Sequence, residues 1–168
     1  MIPKFKKILY ATDLSENSAY AFRYAVNSAQ HHGAKIHILY VLEEIKTTLL
    51  WAFYEMEKLQ GIREKGKEEI KDRIKKRLEA FCQRELMKDP ECRDLVASTE
   101  VVEGDPAAEI LRKADELGVD LVVMGTHGKG LLEHAFLGSV AEKVLHRIKI
   151  PVLTIPIPKD TDIRFNDF

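Results

Sequence analysis

Between Met124 and Val140 the chain carries Gly125, Gly128, Gly130 and Gly138, with Thr126, His127 and Lys129 among them and Ser139 directly after the last glycine. Glycine admits positive φ and lets a ligand approach the bare backbone. Unpaired N–H groups at a helix start, at the positive end of its dipole, attract an anion. Ser139 adds a hydroxyl donor and Lys129 a positive charge. The stretch reads as a holder of phosphate. Gly125 and Gly128 alone are equally well explained as turn residues at a strand end. The full spacing separates the two readings: two residues stand between Gly125 and Gly128, and nine between Gly128 and Gly138.

Such a loop needs a strand behind it and a helix ahead of it. Val119–Val123 is an apolar run of strand length, and Leu137, Val140, Ala141, Val144 and Ile148 recur at helical spacing. Upstream, Lys7–Ala11 reads as a first strand, broken at Thr12-Asp13-Leu14-Ser15, with Ser15 expected as the N-cap of a first helix. Phe22, Val26 and Ala29, with Ala19 and Ala25, give that helix one apolar face, and Gly33 ends it. Lys35–Leu42 reads as the second strand, with His37 structural. Residues 43–57 hold a dense apolar cluster around Trp51, read as a short covering helix or a partner surface.

A long helix is expected from Lys58 to about Met87, with Ile70, Ile74, Leu78, Phe81 and Cys82 as its stripe. Glu69 with Arg73 and Asp72 with Lys76 are spaced for i,i+4 pairs. Leu95–Glu103 is a third strand, polar enough for an edge. Asp105-Pro106 opens a helix that Gly118 closes. Lys149–Ile155 is the fifth strand. Alternating strands and helices imply an α/β fold: one doubly wound, five-stranded parallel sheet of order 3-2-1-4-5 with helices on both faces. Ligands bind where the winding reverses, beyond the carboxyl ends of the first and fourth strands. The loops there are Ala11-Thr12-Asp13 and Met124–Gly130.

The chain has 168 residues and a net charge of −1. One domain over residues 1–158 with a polar tail at 159–168 is expected, and the charge balance argues against a nucleic-acid partner. Cys82 and Cys92 have no metal-ligand spacing and read as reduced thiols of a cytoplasmic protein. Nothing reads as a signal peptide or a membrane span.

The glycine spacing G-x2-G-x9-G-[S/T], the opening Lys-Ile-Leu-Tyr-Ala-Thr-Asp-Leu-Ser and the closing Pro-Val-Leu resemble the ATP-binding branch of the universal stress protein family, from Phe5 to Ile155. The resemblance implies an adenine-nucleotide alpha-hydrolase-like fold. It implies that Asp13 holds the ribose and adenine side and that the Val41 backbone meets adenine. It further implies that Met124, Gly125, Gly128, Gly138, Ser139 and Val140 wrap ribose and phosphates. His127 stands where many relatives have arginine, and residues 43–86 cover a variable region of the family. The expected ligand is ATP, or AMP or ADP left from it, with Mg or Mn accompanying the phosphates but no protein metal site. Because no Walker motif and no nucleophile–base couple can be read, a regulator with little or no turnover is expected, the alternative being a slow ATPase at the same site. A homodimer through the Lys149–Ile155 edge is expected as well, since that strand is apolar and ends the sheet.

Overall fold

The computed structural model describes residues 2–15, 18–43, 60–86, 94–126 and 137–156. Within these, the elements in chain order are β1 (Lys7–Thr12), α1 (Ser18–His32), β2 (Lys35–Leu42), α2 (Gln60–Leu86), β3 (Val96–Glu103), α3 (Pro106–Leu117), β4 (Leu121–Gly125), α4 (Ser139–Arg147) and β5 (Val152–Ile155). The strands form one five-stranded sheet in the order β3-β2-β1-β4-β5. All four pairings are parallel.

The strand residues divide by parity. Ile8, Tyr10, Ile36, Ile38, Leu121 and Val123 face a core with Phe22 of α1 and Leu78 and Phe81 of α2. Leu9, Leu39, Val122 and Met124 face a second core with Ile110 of α3 and Val144 of α4. A parallel sheet covered on both sides needs apolar residues at both parities, which is why these strands read as unbroken apolar runs. In the first core the Tyr10 and Phe22 rings lie 5.2 Å apart, and Phe22 and Phe81 5.3 Å. Burial pushes the Cys82 thiol up to about 12, so it behaves as a small apolar side chain. His37 donates or accepts with Ser98 Oγ at 2.8 Å across β2 and β3, and burial lowers its pKa, in keeping with a structural role.

Several boundaries move. The described residues of α1 begin at Ser18, and residues 16 and 17, which follow the expected Ser15 cap, lie outside the described residues. The Ser15 carbonyl accepts from the Ser18 N–H at 3.0 Å, and the chain before it is spent on a side-chain-built turn. β5 is Val152–Ile155 rather than Lys149–Ile155, because Pro151 has no N–H to enter the ladder. Among the described residues of α2, the Glu69–Arg73 and Asp72–Lys76 pairs are not made. Lys67 instead reaches Glu103 of β3 at 2.9 Å and Lys71 pairs with Glu68 at 3.2 Å. The punctuation of α3 is as expected: Asp105 accepts from the Ala108 N–H at 3.0 Å, Pro106 opens the helix, and Gly118 closes it at φ 57°. The Trp51 cluster, Cys92 and the tail lie outside the described residues.

Candidate functional site

A cleft of about 300 Å³ opens at the carboxyl ends of β1, β2 and β4. It is lined by Ala11, Thr12 and Asp13 after β1, by Val41 of β2, by Met124 and Gly125 of β4, and by Gly138, Ser139 and Val140 at the start of α4. The topology brings these together because β1 and β4 are sheet neighbours whose following helices lie on opposite faces. His127, Gly128, Lys129 and Gly130 lie outside the described residues. The described ends of that stretch are tied: the Gly138 N–H donates to the Thr126 carbonyl at 2.6 Å, and the Thr126 N–H to Ile155 at 2.9 Å.

The cleft has an acceptor end. Asp13 Oδ1 accepts from the Ser15 N–H at 2.9 Å, while Asp13 Oδ2 is buried with no hydrogen-bond partner. The register pairs Thr12 with Tyr40 as the last rung of β1 and β2, and this rung places the Val41 N–H on the Thr12 carbonyl. Backbone groups alternate sides along a strand, so the Val41 carbonyl also points toward β1, past its end.

The cleft also has a donor end. Gly138 is the N-cap of α4 at φ −72° and ψ 157°, and it provides no side-chain cap. The first N–H groups of α4 therefore have no intrahelical acceptor. α3 also starts at the cleft, through Pro106 and Ile110, but Asp105 caps it. The two helix starts differ in that one is closed by its own carboxylate and the other has none.

Sequence reasoning missed several wall residues. Tyr40 and Glu43 continue the β2 end, and Pro106 and Ile110 come from α3. Burial, and then the Asp13 charge, raise the Tyr40 pKa, which keeps its phenol protonated. The Asp105-Pro106 helix start was a readable signal, but only the crossover shows that it ends at this cleft. Among the described residues no group of three His, Cys, Asp or Glu side chains is placed to hold a metal ion. Nor, among them, is any helix long and apolar enough to cross a membrane.

Residues 4–156 match the model of the universal stress protein family. The chain belongs to the universal stress protein family. It is 35% identical to the universal stress protein MJ0531 of Methanocaldococcus jannaschii over 92% of this chain and 84% of the other. It is 35% identical to the universal stress protein YxiE of Bacillus subtilis over 90% of this chain and 99% of the other. The solved structure of the M. jannaschii protein MJ0577 aligns with TM-score 0.75 at 26% identity, covering 94% of this chain and 100% of that one. The MJ0577 structure shares the fold described above.

Proposed function

We propose that this universal stress protein binds ATP, or AMP or ADP left from it, between Asp13 and Ser139, as a regulator with little or no turnover. The observation that carries the reading is Asp13 Oδ2, a buried acceptor without a partner. Leaving a buried acceptor unmade costs about 1–3 kcal/mol, and a ligand donor restores the bond. In this reading a ribose hydroxyl or the adenine amino group donates to Asp13, and the Val41 carbonyl accepts from the adenine amino group. Leu39, Ile110 and Met124 supply apolar wall. The phosphates meet the uncapped start of α4 and the Ser139 hydroxyl, with His127, Gly128, Lys129 and Gly130 completing that side. A divalent ion, Mg or Mn, would be held through the phosphates rather than by a protein cage. The ATP-binding branch assignment, the cytoplasmic setting, the homodimer through β5 and the tail at 159–168 belong to the same proposal.

Titration calorimetry with ATP and AMP tests the reading, together with identification of any nucleotide that copurifies. Absence of saturable binding at millimolar nucleotide would sink it. Steady ATP turnover near about 1 per second, the low end for ordinary enzymes, would make the protein an enzyme instead.

A further inference from the structure

A second groove of about 460 Å³ lies between the first turn of α1 and the face of α2. Ser15 and Ser18 line both cavities, so the groove adjoins the cleft on the side of Asp13. Its outer wall is Arg77, Phe81 and Arg84 of α2. Arg77 and Arg84 are seven residues apart, about 10.5 Å along a helix and on one side of it, with Phe81 between them. Guanidinium groups reach far enough from such positions to converge on one ligand.

The polar groups lining this groove are donors. Arg77 makes no hydrogen bond or ion pair among the described residues, and the Ser15 hydroxyl is likewise uncommitted. Ser18 Oγ is spent on the Ser15 carbonyl at 2.5 Å. The Arg84 guanidinium lies 5.8 Å from the Phe81 ring centroid, and its Nε stands 3.5 Å from Glu85 Oε1. The other Glu85 oxygen is engaged by Arg23 at 3.2 Å. No carboxylate lines the groove among the described residues. Two arginines with a free hydroxyl form a donor set that matches the geometry and charge of phosphate.

We propose that the groove between α1 and α2 is a second anion site, taking a phosphate group between Arg77 and Arg84 beside the nucleotide cleft. The phosphate comes either as a free anion or as a further phosphate on the ribose of a bound nucleotide. The second source rests on the nucleotide reading above; the first does not.

Calorimetry with inorganic phosphate, AMP and adenosine 3′,5′-bisphosphate separates the cases, using wild type and the Arg77→Ala/Arg84→Ala variant, with circular dichroism to check the fold. Inorganic phosphate binding to wild type that weakens at least about tenfold in the variant identifies a free-anion site. Adenosine 3′,5′-bisphosphate binding at least about tenfold tighter than AMP in wild type, with the gain lost in the variant, identifies a nucleotide phosphate. In either case AMP affinity is unchanged by the two substitutions. If neither effect occurs, or if both survive in the variant, the proposal is overturned. Failure of AMP to bind wild type refutes the nucleotide reading alone, because the inorganic phosphate titration still decides the groove.

Discussion

Leu14 and Val41 stand where the next rung of the β1–β2 ladder would form, and they do not bond. A continued parallel ladder would carry the Leu14 N–H to the Val41 carbonyl after the Thr12–Tyr40 rung. Leu14 instead takes φ 55°, and its N–H donates to Thr12 Oγ1 at 3.1 Å. A leucine in the left-handed region is unusual and is held there by its surroundings. The Thr12 hydroxyl and the Asp13 carboxylate hold it, one on each of two successive N–H groups.

Thr12→Val removes that acceptor with little change of shape. The Leu14 N–H is then free to compete for the Val41 carbonyl. The expected result is a fall in ATP affinity of about fivefold to tenfold, the worth of roughly one neutral hydrogen bond. Titration calorimetry reads it directly. Equal affinity in Thr12→Val would take the Val41 carbonyl out of the site.

Asp13→Asn tests the unpartnered oxygen. The amide can still accept from the Ser15 N–H through one oxygen, but it presents an NH₂ group where a ligand donor would sit. ATP affinity is expected to fall by about tenfold or more, since bonds to charged acceptors contribute about 1.5–3 kcal/mol. The ligand-free protein is expected to be as stable as wild type or more so, because a buried carboxylate oxygen without a partner is a cost to the fold. Urea denaturation and calorimetry together give both numbers. Unchanged affinity separates Asp13 from the ligand.

The fold was legible because its signals are local. Parallel strands buried on both faces show as apolar runs, and Gly33, Asp105-Pro106 and Gly118 mark helix ends by their own conformations. Before α1, Thr12 and Asp13 use their side chains on a turn that no apolar pattern in the sequence records. Glu43, Ile110 and Arg77 could not be linked to a site from sequence. They reach the two cavities through crossovers and helix packing, and no spacing along the chain records that. The glycine spacing carries the phosphate proposal, and the structure adds the uncapped Gly138 start that follows the stretch.

Asp120 fastens the opposite end of the sheet. Its Oδ2 accepts from the Lys6 N–H at 2.7 Å and the Lys7 N–H at 3.0 Å. These bonds hold its carboxyl below the usual carboxylate range. A depressed folded pKa means stability that is present above the unfolded value of about 3.9 and is lost as pH falls through the folded one. Asp120→Ala is therefore expected to cost about 1 kcal/mol at pH 7 for these exposed bonds, with the gap to wild type closing below about pH 4. Urea denaturation across that range checks it. A gap that stays constant into acid would mean the ionised carboxylate is not what holds the strand.

β5 ends the sheet and pairs only with β4, so one row of its backbone groups has no partner within the described residues. Val152, Leu153 and Thr154 are half-buried, and no lysine or glutamate stands between Pro151 and Pro156 to blunt the edge. An apolar edge of this kind pairs with other strands unless it is covered. The same strand of a second copy, antiparallel across a two-fold axis, would cover it in a closed pair. Leu145 of α4, the helix that precedes β5, is 40% exposed. The wild type is expected to be a dimer at micromolar concentration and Leu153→Lys a monomer, by light scattering. Leu153 also packs on the α1 and α2 core, so circular dichroism on the same samples separates a lost dimer from a lost fold. A monomeric wild type refutes the pairing, and so does a folded Leu153→Lys protein that remains fully dimeric.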